Sequence, residues 1–95
     1  METTFLNTTS LKNTLSRFEN RQVVLNFYQE DMLVDRVGLF FDTIKVSEDS
    51  VHFQKNGDDK YVLDIHHYDS FQTLTGFKHY YSISTDNNRV ELYFP

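Results

Sequence analysis

From Gln22 onward the apolar residues of this chain return at every second position, and small clusters of turn-forming residues interrupt the rhythm. The breaks fall at Glu30-Asp31, Ser47-Glu48-Asp49, Asn56-Gly57-Asp58-Asp59 and Asp86-Asn87-Asn88. A period of two sends successive side chains to opposite faces of an extended strand, so this pattern suits a sheet with one buried face. Short strands with turn residues between them predict a mainly β protein, a strongly bent antiparallel sheet or small barrel.

One segment departs from the rhythm. Leu11, Leu15 and Phe18 fall at i, i+4 and i+7, opposite Lys12, Asn13, Ser16 and Arg17, which predicts a short N-terminal helix over about 9–19. Thr9 or Ser10 can cap its start, and Asn20 suits its end. A helix this short is unstable alone in water and must dock on the sheet or on a partner.

The strands then follow in order. Val23, Leu25 and Phe27 alternate with Val24, Asn26 and Tyr28 up to the turn at Glu30-Asp31. The next strand runs from Met32 to about Asp42, and Gly38 in its middle predicts a bulge or bend. Ile44 and Val46 extend it or begin a third strand. Val51 and Phe53 lead to Asn56-Gly57, the strongest hairpin signal in the chain. Tyr61, Leu63 and Ile65 lead back, and Tyr68 to Gln72 reads as a short helical turn or bent connection. A final hairpin over about 77–94 ends at Pro95, which cannot donate to a ladder.

Ninety-five residues bury one core, so 1–95 is expected to be a single domain. Nine Phe and six Tyr make that core aromatic. With Phe41, Phe53, Tyr61, Phe77, Tyr81 and Phe94 assigned to it, Tyr28, Phe40, Tyr68, Tyr80 and Tyr93 are left over. Those five, with His66, are the candidate interaction surface, because Tyr joins apolar area to a polar tip.

The chain has no Cys, and its first residues have neither a basic nor an apolar run, so a cytoplasmic protein without disulfides or a signal peptide is expected. No stretch is apolar for long enough to span a membrane. A formal net charge of −5 disfavours non-specific binding to nucleic acid or anionic lipid. Lys12, Arg17 and Arg21, and likewise Lys55 and Lys60, are interrupted by acids and form no basic stripe.

A short helix ahead of bent antiparallel strands resembles the Sm-like (Hfq-type) small β-barrels. Gly38-Leu39-Phe40-Phe41-Asp42 looks like the end of that family's second strand, and Lys60-Tyr61-Val62-Leu63-Asp64-Ile65-His66 is similar in spacing to its second motif. The likeness spans roughly Leu11 to Phe71, with an Sm-like core at about 22–71 and the C-terminal hairpin as an addition. It implies RNA binding by an oligomeric ring. The chain departs from the family at Arg36, where a Gly is usual, at Ile44, where an aromatic stacks a base, and at Ile65, which replaces the Lys of a Lys-His pair. An SH3-like barrel or another small β-roll would produce nearly the same pattern.

Reaction chemistry is sparse. His66 and His67 are adjacent and would point to opposite faces of a strand, so a metal would need His52 or His79, with Asp64 or Asp69, from neighbouring strands. There is no Gly-x-Ser-x-Gly, no phosphate-cradling glycine loop, and no Ser placed near a His-acid pair by sequence. Glu48-Asp49 and Asp58-Asp59 sit in turns, where Asp satisfies local backbone donors. No cofactor, metal or catalytic residue is expected. The chain reads as a non-enzymatic, self-associating and regulatory interaction module of bacterial or phage style, with a protein partner or a second copy of itself. Two alternatives stand beside it: an Sm-like RNA-binding protein, and an acidic inhibitor of a nucleic-acid enzyme, of the anti-restriction or anti-CRISPR type. The inhibitor would gather Glu30, Asp31, Glu48, Asp49, Asp58 and Asp59 on one face.

Overall fold

The computed structural model describes residues 2–5, 8–66, 68–73 and 79–95. The chain order is β1 (Glu2–Phe5), α1 (Thr8–Leu15), β2 (Arg21–Gln29), β3 (Met32–Phe41), β4 (Thr43–Val46), β5 (Ser50–Lys55), β6 (Asp58–Asp64), β7 (Ser70–Thr73), β8 (Tyr80–Ser84) and β9 (Asn88–Tyr93). It is a mainly β protein with two antiparallel sheets: a six-stranded one ordered β1-β7-β8-β9-β2-β3, and a three-stranded one ordered β4-β5-β6. The sheets are not closed into a barrel.

Turn chemistry sets the hairpins. Asn56 and Gly57 take φ of 55° and 82° between the paired Lys55 and Asp58, the left-handed pair that a two-residue turn needs. Glu30 and Asp31 do the same work between β2 and β3, with φ of 51° and 65° and no glycine to ease them. α1 is shorter than the expected 9–19: it ends at Leu15, and Phe18 N–H tightens the exit by bonding Leu15 C=O at 3.1 Å. The chain then turns at Asn20, whose φ is 52°. Leu11, Leu15 and Phe18 are buried in the molecule's own core, so the helix docks at home.

The two sheets meet at Asp42. Its C=O accepts from Asn20 N–H at 3.2 Å, and its N–H donates to Gln54 C=O at 2.9 Å. Its carboxylate accepts from Asn56 N–H at 2.9 Å and from the Thr43 hydroxyl at 3.2 Å. One residue thus joins the end of β3, the start of β4 and the β5–β6 turn, and the chain changes sheets there. Val23 and Leu25 of β2, Val51 and Phe53 of β5, Leu63 of β6, Ile83 of β8 and Val90 and Leu92 of β9 fill one core between the sheets.

Several expectations need correction. The bulge in β3 lies at Val34, because Phe27 faces Asp35 while Tyr28 faces Leu33; Gly38 pairs with Val24 in regular register. Glu2–Phe5 forms a strand on β7, and Ser70–Thr73 forms β7 where a helical turn or bend was expected. Phe71 is buried in the core, whereas Tyr61 is only half-buried. The C-terminal hairpin is no appendage: β8 and β9 occupy the middle of the large sheet, and β9 covers the edge of β2. The expected start of that hairpin at Phe77 lies outside the described residues, as does His67.

Candidate interaction surface

Strand register decides which candidates share a face. Val24 lies between Gly38 and Tyr93, with Tyr80 beyond; Asn26 lies between Arg36 and Glu91; Tyr28 lies between Leu33 and Arg89. Phe40 pairs with Gln22 on the same side. The alternate residues Val23, Leu25, Val90 and Leu92 are buried, so this row is the outer face of the large sheet. Tyr28, Phe40, Tyr80 and Tyr93 are brought together there. His66 and Tyr68 are not: both follow β6, on the connection to β7. His66 Nδ1 lies 2.9 Å from Asp64 Oδ1, and Tyr68 packs half-buried against the core with its N–H on Ile65 C=O at 3.0 Å.

A polar spine crosses the aromatic face. Tyr80 Oη donates to Glu91 Oε1 at 2.7 Å, and Arg89 Nε donates to Glu91 Oε2 at 3.0 Å. Arg89 also donates to Asp31 Oδ1 at 2.6 Å and lies over the Tyr28 ring, 4.0 Å from its centroid. The Tyr80 and Tyr93 rings are 5.5 Å apart. Burial, and then the hydrogen bond to Glu91 and its charge, push the Tyr80 phenol up to about 12. The spine links Tyr80, Glu91, Arg89 and Asp31 and leaves apolar area of this face uncovered.

That area continues onto the sheet's edge. β3 pairs with β2 on one side only, and no described strand adjoins its other side. Met32 is 70% exposed, Leu33 52%, Val34 59% and Phe40 63%. The outward backbone groups of this ten-residue strand, beside four exposed apolar side chains, make an adhesive edge, and its charged residues are Asp35 and Arg36 alone. The alternating pattern identified β3 as a strand, but its place at the edge follows only from the topology.

The outer face of the small sheet holds a second constellation that spacing did not reveal. Ser50 Oγ lies 2.8 Å from His52 Nε2, His52 Nδ1 lies 3.1 Å from Asp59 Oδ2, and Gln54 Nε2 donates to Asp59 Oδ1 at 2.8 Å. Gln54 first, and His52 next, hold the Asp59 carboxyl below the usual carboxylate range. A shallow depression of about 410 Å³ adjoins them, lined in part by Lys45 and Ser47. A hydroxyl on Nε2 and a carboxylate on Nδ1 is the connectivity that activates a serine. Here, however, Ser50 N–H, a donor that could face a developing oxyanion, is engaged by Ser47 Oγ at 3.2 Å. Ser50 Oγ is also 3.0 Å from Ser47 Oγ. The ladder is a set of mutually satisfied polar groups on a solvated strand face.

Among the described residues, no three of His, Cys, Asp or Glu are grouped to hold a metal ion. Also among them, no helix is long and apolar enough to cross a membrane. Comparison of the chain with family models, with curated proteins and with solved structures gives no match.

Proposed function

We propose that this protein is a non-enzymatic interaction module that self-associates through the free edge of β3, with the aromatic outer face of the large sheet flanking the seam. The observation that carries the reading is the set of exposed Met32, Leu33, Val34 and Phe40 on a ten-residue strand whose outer side no described strand covers. Antiparallel pairing of β3 with β3 of a second copy would satisfy its backbone groups and cover those side chains. Its role is then regulation by contact. Size-exclusion chromatography with light scattering tests it. Wild type is expected to run as a dimer and Val34→Lys as a monomer, with stability changed by no more than about 0.5 kcal/mol, as for other exposed substitutions. A wild-type chain that stays monomeric at high concentration would sink the proposal.

The Sm-like RNA-binding alternative draws support from the strand that changes sheets at Asp42. It loses its stacking platform, because Ile44, at the place where that family stacks a base, is buried in the core. The acidic-inhibitor alternative needs converging carboxylates. Glu48-Asp49 instead precede β5, Asp58-Asp59 pair with its last two residues, and Asp31 is engaged by Arg89. Filter binding to oligo-U and oligo-A separates the RNA reading from ours, which expects no retention.

A further inference from the structure

Phe18 stacks face to face on Phe94, with centroids 4.1 Å apart and planes 1° from parallel. Phe94 occupies one face of the Phe18 ring, which leaves the opposite face to the two guanidiniums over it. Arg21 Cζ lies 5.3 Å and Arg17 Cζ 5.7 Å from the Phe18 centroid. The His79 imidazole meets the same ring edge-on at 5.0 Å, and its Nδ1 is 3.5 Å from Arg21 Nη1. His79 has a left-handed backbone, φ 56°, and its C=O is held by Phe94 N–H at 3.0 Å, which fixes where the imidazole starts from.

Two like charges are gathered at this ring. Among the described residues, neither arginine has a carboxylate within ion-pair distance. Arg17 reaches only the Tyr81 hydroxyl, at 3.4 Å. Arg21 Nε is buried with no hydrogen-bond partner, which is costly for a charged donor. The contrast with Arg89, which has both Asp31 and Glu91, is informative in a chain with fourteen acidic residues against nine basic ones.

We propose that Arg17, Arg21 and His79 form a binding site for one phosphate group. Two guanidinium forks and an imidazole can donate together to a tetrahedral oxyanion, which would supply a counter-charge and offer an acceptor near Arg21 Nε. The rest of the molecule selects a small ligand. A polynucleotide would extend its further phosphates over an acidic surface that has no basic stripe to receive them, whereas free phosphate or a nucleoside monophosphate brings one charged group only. Arg21 pairs with Phe41 of β3, so the site lies near one end of that strand, but its ligand contacts do not depend on self-association.

The test is an NMR titration at constant ionic strength with inorganic phosphate, with a nucleoside monophosphate, and with oligo-U. Saturable shifts of the Arg17 and Arg21 Nε–H signals and of the Phe18 and His79 ring signals are expected with the first two. Arg21→Gln should weaken binding by about tenfold or more, the scale of one lost charge-assisted contact. Arg17 is exposed, so Arg17→Gln should fold normally and weaken binding similarly even if the Arg21 variant does not fold. Shifts no larger than those from matched chloride, or unchanged binding by Arg17→Gln, would overturn the site. Oligo-U binding far tighter than the monophosphate would overturn the choice of a small ligand.

Discussion

On the six-stranded sheet the outward side chains include Tyr28, Phe40, Tyr80 and Tyr93 around one ion-paired arginine. On the three-stranded sheet they are Ser50, His52, Gln54 and Asp59 beside Lys45. Both sheets feed the same core, so their inner faces are interchangeable in kind and only their outer faces differ. On the small sheet Ser50, His52, Gln54 and Asp59 are linked by hydrogen bonds, and the one large apolar side chain exposed among its described residues is Val62, too little to form a patch. On the large sheet Tyr80, Glu91, Arg89 and Asp31 are likewise linked, but exposed aromatic and aliphatic area remains and runs onto an edge that no described strand covers. Satisfying polar groups is a local matter between two or three side chains. Covering apolar area takes another layer, and the described residues supply none there.

If the two sheets differ only outside, the core should couple them. Phe94 contacts the rings of Phe18, Phe41 and Tyr81, and Phe94→Ala should cost about 3–5 kcal/mol. Chemical denaturation should show this as one transition, with amides of both sheets losing exchange protection together. Separate transitions would break the idea of a shared core. A smaller effect should come from the joint between the sheets. Asp42→Ala frees Asn56 N–H and should cost about 1–2 kcal/mol. Hydrogen exchange should show the β5–β6 turn loosening first, while the β8–β9 pairing keeps its protection.

The smallest effect concerns the outer face of the large sheet. Tyr80 titrates at about 12 in the folded chain against 10.0 for a free phenol. Its neutral form is the one the fold favours, so its contribution is fully present below pH 10. As pH rises from 10 towards 12 the unfolded chain releases the proton first, and the contribution fades. Burial raises Tyr61 and Tyr68 as well, so an absorbance titration should show several late tyrosines, one of which is missing in Tyr80→Phe, and that variant should lose less stability across this window than wild type. Equal losses would mean that Glu91 does not hold the phenol.

Much of the fold was legible because it is local. The period of two located β2, β3, β5 and β6, and Asn56-Gly57 and Glu30-Asp31 are left-handed turns as their residue types or positions suggested. The rest depended on distant pairing. Glu2–Phe5 shows no alternation, and its strand exists because β7 offers an edge. The bulge went to Val34 instead of Gly38, since a register slip is decided by what both strands bury and not by the more flexible residue. Ser50, His52 and Gln54 are spaced by two and so could be placed on one face, but Asp59 joins them only because the register slips between Tyr61 and Asp59, leaving Lys60 unpaired. Arg21 and His79 are 58 positions apart, and nothing in their spacing brings them to one ring.

Among the described residues the two outermost strands of the large sheet are unequal: β3 has ten residues and β1 has four. Joining long border to long border about a two-fold axis uses up both adhesive strips at once, so growth halts at a pair. Joining long to short would leave a fresh strip at each end, the arithmetic of a fibre. If the proposed pairing forms, the mismatch in length acts as a stop signal, favouring a finite assembly over an endless one.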